Sequence, residues 1–494
     1  MKTFLLELIF YTFGYYLCYK KGRKMNLPAD FVTSINLLLG AEADTLLEAL
    51  KENAPVSIKL NPFKNNRNPL EFLSPAEPVL WSDNGYYLKE RASFTFDPLF
   101  HSGYYYVQEA SSMFIEHVVK QLVADPVNCL DLCAAPGGKS ISLLSSLPKG
   151  SLLVSNEIIR QRANILSENM VKFGNPNSVV TNNDPKDFSS LPNFFDLILV
   201  DAPCSGEGMF RKDEVAINEW SSENIGMCAV RQKSILRDVW DSLKPGGFLI
   251  YSTCTYNTSE NEHNAQWAIN ELDAEFIEVD VDLAWSITNS SDDKVRAYRF
   301  FPHKTKGEGL FVTVIQKNGG DESSHQSTIN QKSAKKNKKN LSPFIKESSY
   351  YEGLINNPAN SDYIDFENRI IALPKEHASI FLSLKEKLKV VSMGIELGEN
   401  KGKNFIPSHS LAMSNELNMS AFTNYELSYN DSISFLRSEA ISIPDAPKGF
   451  ILLTYKNEPI GFVKNLANRA NNLYPNAWRI RSGYLPQNPI FIFK

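Results

Sequence analysis

Between Val118 and Lys317 short, nearly continuous apolar runs alternate with stretches in which apolar residues recur every three or four positions. The runs are NCLDLC, SLLVSNE, SVVTNND, FDLILVD, GGFLIYSTC, FIEVDV and GLFVTVIQK, and their length and branched side chains predict strands buried on both faces. Helical periodicity fills the intervals, predicting one helix from Lys139, one over Ile159 to Phe173, one around Ala229 to Leu243 and a capped one from Thr258. Strand and helix alternating at this spacing predict an α/β fold built on a doubly wound, mostly parallel sheet. Such a sheet collects its ligands at the carboxyl ends of its strands.

The flanks read differently. From Leu27 two helices (ADFVTSINLLLG, ADTLLEALKE), extended pieces at SIKLNP and GYYL, and the aromatic stretch FDPLFHSGYYYVQEASSM predict a small α/β domain over residues 25–115. The sheet domain then occupies 116–318. Residues 319–341 hold almost no apolar side chains and include Lys332, Lys335, Lys336, Lys338 and Lys339, the composition of a flexible tether. Hydrophobic structure resumes over 342–494. It reads as a helix-bearing portion through Val391, then a strand-rich portion with a hairpin about Asn457-Glu458 and a tail carrying Arg469, Arg479 and Arg481. Residues 1–24 form an extension whose apolar segment, Phe4 to Tyr19, is short of the ~20 residues of a bilayer span. Lys20, Lys21, Arg23 and Lys24 follow that segment and no small-residue cleavage site does, unlike a signal peptide, so Met25 reads as the natural start of the folded chain.

At 494 residues the chain exceeds a single core, and 43% hydrophobic content is ample for several. A soluble cytoplasmic monomer is expected, with no membrane partner. The six cysteines form no CxxC pair and no framework spacing, which predicts free thiols in a reducing compartment and no metal. A net charge of -5 means that any affinity for RNA rests on a local basic patch.

Two constellations carry chemistry. The loop Cys133, Ala134, Ala135, Pro136, Gly137, Gly138, Lys139 joins a strand to a helix in the manner that brings backbone close to a nucleotide-like ligand. Glu157 follows Gly137 by about 20 residues, the spacing of a ribose-binding acid, while Asp184 and Asp201 close the next two strands. The loop fits neither the GxGxxG of a dehydrogenase nor the glycine spacing of a P-loop. The second constellation is Cys204 in DAPCSGEG and Cys254 in YSTCTYN, each after an apolar strand. A thiolate that attacks C6 of a pyrimidine makes C5 nucleophilic, able to accept a methyl group; a second thiol then suits the release step. A lone cysteine is ordinarily a small buried hydrophobe, and polar glycine-rich turns argue against that reading for these two. Cys129 and Cys133 read as core or loop residues and Cys228 as packing. His263 reads as helical surface. Of Tyr104, Tyr105 and Tyr106, at least two read as packed between domains rather than stacked on bases. Spacing leaves open which of Cys204 and Cys254 attacks.

DLCAAPGGKS, VDAPCSGEGMFRK, LKPGGFLIYSTCT and YYVQEASSM together resemble the family of RNA (cytosine-5) methyltransferases that includes the Sun proteins, the nucleolar proliferation antigen and a bacterial 16S ribosomal RNA enzyme. GKNFIPSHSLA and GFILLTYKNEPIGFVKNLANRANNLYPNAWRIR are similar to the PUA-like tail of the bacterial branch. The resemblance implies a Rossmann-like class I methyltransferase sheet between a small N-terminal domain and a C-terminal PUA-like domain. It implies S-adenosylmethionine held by Cys133 to Lys139, Glu157, Asp184 and Asp201, Cys254 as nucleophile, Cys204 as the residue aiding release, and RNA as partner. Ribosomal RNA is the favoured substrate, with transfer RNA or a non-catalytic role in ribosome assembly as rivals.

Overall fold

The structure is a computed structural model that describes residues 26–319, 344–345, 348–402, 404–486 and 488–494. The extension over 1–24 and, but for Gly319, the lysine-rich tether lie outside these residues.

Five parallel strands form the centre: β5 (Asn128–Asp131), β6 (Leu152–Asn156), β7 (Ser178–Thr181), β8 (Phe195–Asp201) and β9 (Leu243–Thr253). Their order is β7-β6-β5-β8-β9, so β5 pairs with both β6 and β8 and the chain reverses direction across the sheet at that point. Antiparallel β13 (Leu310–Lys317) lies beside β9 and carries both β10 (Ala274–Ile277) and β12 (Ala297–Phe300), with β11 (Thr288–Asn289) beyond β12. Alternate residues of each strand serve opposite faces. Leu130, Val154 and Ile198 pack with Leu236, Val239 and Ala265 on one side. Cys129, Leu153 and Leu197 pack with Ile141, Leu166 and Phe173 on the other. All six strand residues are fully buried, which is why these strands read as continuous apolar runs. Each such Leu or Val contributes ~1.5–3 kcal/mol on burial.

The sheet continues past β7 in a way the sequence pattern does not announce. Val390–Met393 (β16), from beyond the tether, pairs antiparallel with β7. The preceding helix, Ala378–Lys387, lays Phe381 and Leu384 on the first face. Before them the chain forms β14 (Ser361–Phe366) and β15 (Arg369–Pro374), so the portion read as helix-bearing is half strand. Its turn is hidden because Glu367 and Asn368, rather than glycines, take positive φ of 53° and 66°. β15 continues through β17 (Ile395–Lys401) to β18 (Asn404–Pro407). A last sheet, in the order β19 (Thr423–Glu426), β20 (Gly449–Tyr455), β21 (Glu458–Asn465) and β22 (Ala470–Asn472), contains the expected hairpin as β20 with β21. Its turn is at Lys456-Asn457, both left-handed, one residue before the expected position. At the other end, β1 (Val56–Leu60) sits between β3 (Gly85–Leu88) and β4 (Tyr105–Val107), with β2 (Glu77–Pro78) outside β3.

Tyr104 and Tyr105 are buried, and the rings of both lie against Phe493 near the chain's end, joining N-terminal and C-terminal structure. No described helix is long and apolar enough to cross a membrane.

Candidate active site

Every segment after β5, β6, β7, β8 and β9 emerges on the same edge of the sheet. The loop after β5 turns at Gly137, whose φ of 120° favours glycine, and an added Cβ there would meet Leu166 at 3.3 Å. The loop is held from below: Ala134 N donates to Asn156 O at 2.8 Å, Asn169 Nδ2 to Pro136 O at 2.8 Å, and Arg162 Nη2 to Ala135 O at 2.8 Å. Lys139 opens the helix Gly138–Ser146 and reaches across to Asp201 at 2.9 Å. Ser252 Oγ, on β9, donates to the other Asp201 oxygen at 2.8 Å, so the ends of β8 and β9 and the helix after β5 converge on one carboxylate.

Glu157, just past β6, is 2% exposed; its carboxylate accepts from Ile159 N at 2.9 Å and pairs with Arg162 at 3.0 Å. Burial pushes its carboxyl up, and Arg162 works against that. Beside it Ile158 and Ile159 are large, exposed and apolar, a lip on which a flat ring can lie. Asp184 is set further out. It caps the short 3-10 helix Pro185–Ser190, accepting from Lys186 N at 3.2 Å, and lies beyond the end of β7 rather than closing it.

Asp131, buried beneath the glycine loop, accepts from Ser140 Oγ at 2.6 Å through one oxygen, while the other is buried without a partner. Burial raises its carboxyl to about 7. An orphaned acceptor, a glycine turn with no room for a side chain, a ribose-type acid and an apolar lip together fit S-adenosylmethionine. Among the described residues no cluster of His, Cys, Asp and Glu has the arrangement of a metal site.

The two thiols do meet. Asp201 on β8 pairs in register with Ser252 on β9, and the chain leaving each strand then brings Cys204 Sγ to 2.8 Å from Cys254 Sγ. Cys254 N donates to Cys204 Sγ at 3.3 Å. The hydrogen bond with Cys254, burial, and the Glu260 carboxylate raise the Cys204 thiol well above its ordinary range. Burial opposes the Lys139 charge, but Asp201 and Cys254 hold its ammonium above the usual value. Cys129 and Cys228 are buried, as read from sequence, and His263 is exposed.

Sequence reading missed Arg162, Asp131 and two buried carboxylates, Glu207 and Glu260, that sit between the thiol loops. The signal was present for the last two: GEG and SENE place acids in otherwise polar turns that follow buried strands. The helix expected from Thr258 begins instead at Glu262, because Glu260 N is held by Asn257 Oδ1 and the Glu260 side chain turns back to Ser205.

A parallel sheet with this reversal, an antiparallel β13 and a glycine loop after its first strand defines a class I S-adenosylmethionine-dependent methyltransferase. The chain belongs to the RsmB/F family of 16S rRNA methyltransferases, whose family model matches residues 122–316. Three further models match around it: the RsmF N-terminal domain at 27–110, the RsmF first C-terminal domain at 344–414 and the RsmF PUA domain at 422–480. Ribosomal RNA small subunit methyltransferase F of Pectobacterium carotovorum subsp. carotovorum is 30% identical over 91% of this chain and 95% of its own length. The protein of the same name from Escherichia coli strain K12 is 29% identical over 90% and 94%. Among solved structures, a methyltransferase homolog protein from Pyrococcus horikoshii superposes with a TM-score of 0.50 at 25% identity, covering 59% of this chain and 96% of that one.

Proposed function

We propose that this enzyme methylates C5 of a cytosine in 16S ribosomal RNA, with Cys254 as nucleophile and Cys204 as the group that assists release. The observation that carries the reading is the pair of thiols 2.8 Å apart at the ends of neighbouring parallel strands, beside a fitting cofactor loop. The names of its relatives support ribosomal RNA as substrate. The N-terminal domain over 25–115 and the C-terminal region over 342–494 supply RNA contacts to a catalytic domain over 116–318, and the enzyme works in the cytoplasm as a monomer.

Cys133 to Lys139, Glu157, Asp184 and Asp201 hold the cofactor, with Glu157 on its ribose hydroxyls. S-adenosylmethionine supplies an electrophilic methyl group. The Cys204 thiol, whose proton is held tightly, lies 2.8 Å from Cys254 Sγ, and the Lys139 ammonium lies within electrostatic reach of the same sulfur. The Cys254 sulfur bonds to C6 while the C5=C6 electron pair moves to C5, which takes the methyl group. The C5 proton then leaves to solvent, its electron pair restores C5=C6, and the C6–S bond breaks. Cys204 donates to the departing sulfur and stabilises it as thiolate. Asp201, fixed by Lys139 and Ser252, also contacts the target base.

Bisulfite sequencing of 16S ribosomal RNA from cells with and without the gene tests the reading. One cytosine protected only when the gene is present is the expected result, and unchanged protection at every position overturns it. Glu157→Ala is expected to weaken cofactor binding by ~1.5–3 kcal/mol, the loss of a charge-assisted hydrogen-bonded pair. Calorimetry with S-adenosylmethionine checks it, and equal affinity removes Glu157 from the site.

Arg469, Arg479 and Arg481 are all exposed on the C-terminal region. Replacing the three with alanine is expected to raise the RNA dissociation constant and reduce the slope of log affinity against log salt by ~0.7–0.9 for each phosphate no longer neutralised. Filter binding across a salt series reads both quantities. An unchanged slope places the phosphate-binding residues elsewhere.

A further inference from the structure

The two thiol loops are tied by carboxylates in both directions. Glu207, three residues after Cys204, is 1% exposed and points into the other loop. One of its oxygens accepts from Thr255 Oγ1 at 2.7 Å, Tyr256 N at 2.7 Å and Asn257 N at 2.9 Å, the three residues directly after Cys254. Its other oxygen accepts from Trp220 Nε1 at 2.9 Å. Glu260, six residues after Cys254, is fully buried and returns the tie: it accepts from Ser205 N at 3.0 Å, directly after Cys204, and from Gln232 Nε2 at 2.7 Å. Gly208 N adds a bond to Cys254 O at 2.9 Å.

The sheet alone leaves the thiols under-determined. Strand pairing between β8 and β9 ends at Asp201 and Ser252, and both cysteines lie beyond it on backbone without ladder bonds. The only carboxylates bonded across the gap are Glu207 and Glu260, among the described residues. We infer that Glu207 and Glu260 form a reciprocal latch that sets the separation and facing of the Cys204 and Cys254 sulfurs, with Glu207 the positioning residue for the nucleophile's loop. Glu207 stands on three donors at a single oxygen, so removing it frees one hydroxyl and two backbone amides at once, next to the attacking sulfur. The latch rests on the proposed roles of the two thiols for its catalytic meaning, while its geometry is independent of them.

A readout that needs neither RNA nor cofactor keeps the two ideas apart. With glutathione disulfide, one cysteine thiolate attacks a glutathione sulfur, forming a mixed disulfide and releasing one glutathione; the second cysteine then displaces the other glutathione and closes a Cys204–Cys254 disulfide. The ratio of closed to mixed disulfide, read by mass spectrometry of peptides, reports how well the sulfurs face each other. Wild type is expected to close. Glu207→Ala is expected to stall at the mixed disulfide with a ratio at least ~10-fold lower, and to lose ~100-fold in kcat with unchanged affinity for S-adenosylmethionine, the cost of a misplacement of about 1 Å. Closure as efficient as wild type overturns the latch.

A chemical rescue separates positioning from folding. Glu207→Gln can set its oxygen against the three loop donors only by aiming its amide N–H at Trp220 Nε1, donor against donor. Trp220→Phe removes that conflict. The ratio in Glu207→Gln is expected to be low with Trp220 present and to return to within about twofold of Trp220→Phe alone when the two changes are combined, by the requirement that donors meet acceptors. Equal ratios with and without Trp220 overturn the latch even where Glu207→Ala fails to fold. Loss of methylation in wild type would strike the proposed function and leave this result standing.

Discussion

Cys204→Ala, given 16S ribosomal RNA and S-adenosylmethionine, is expected to become fixed to its substrate: a protein–RNA species that survives denaturation, approaching one RNA per enzyme, with turnover ~10²–10⁴-fold below wild type. The nucleophile remains in this variant, so the bond to C6 forms and C5 is methylated. The departing Cys254 sulfur then lacks the thiol that lies 2.8 Å from it and that stabilises it as it leaves. Cys254→Ala is expected to show the opposite, with neither methylation nor adduct, because no bond to the ring can form. Denaturing gels of both variants decide between the thiols. An adduct from Cys254→Ala would reverse the roles and put the nucleophile on the Pro203-Cys204 turn, and no adduct from either would remove covalent attack from the mechanism.

Glu116→Ala is expected to lower stability by ~3–5 kcal/mol, a thermal midpoint falling by roughly 6–20 °C. Lys59, on β1, and Glu116, on the helix Phe114–Leu122, are 0% and 1% exposed and paired, with Ser82 Oγ donating to the same carboxylate at 2.7 Å and Lys120 at 2.9 Å. The pair fastens the N-terminal sheet to the helix that enters the methyltransferase domain. Removing one member strands a buried charge, whereas the double change Lys59→Met with Glu116→Leu strands none and is expected to melt close to wild type. A small effect of Glu116→Ala in a thermal melt would mean that water reaches Lys59 in solution.

Much of the fold was legible in the sequence for a stated reason. Strands buried on both faces must be apolar throughout, so β5, β6, β7, β8 and β9 stand out as runs, and SLLVSNE and FDLILVD map onto β6 and β8. The glycine loop was legible because Gly137 occupies backbone that other residues rarely adopt. Strand β16 was not. An edge strand is recruited through backbone N–H and C=O groups, which every residue carries, so VVSM offers no side-chain mark of its pairing with β7 across two hundred residues of chain. The start of the helix after β9 was misplaced because side chains and backbone from elsewhere set it, as Ser205 does for Glu260.

By itself the sequence determined which residues could do chemistry: two thiols in polar turns, a loop with room for a cofactor, an acid at ribose spacing, and a period that demands a parallel sheet. The tertiary structure alone decided how they meet. The parallel pairing of β5 through β9 puts all five strand ends on one edge, and the register of Asp201 with Ser252 carries Cys204 to Cys254. The Lys139 bond to Asp201, the Arg162 pair with Glu157 and the crossed carboxylates Glu207 and Glu260 join residues distant along the chain. Periodicity reports only which face a residue serves; a contact of 2.8 Å between sulfurs depends on backbone register and on hydrogen bonds that exist once the sheet has formed.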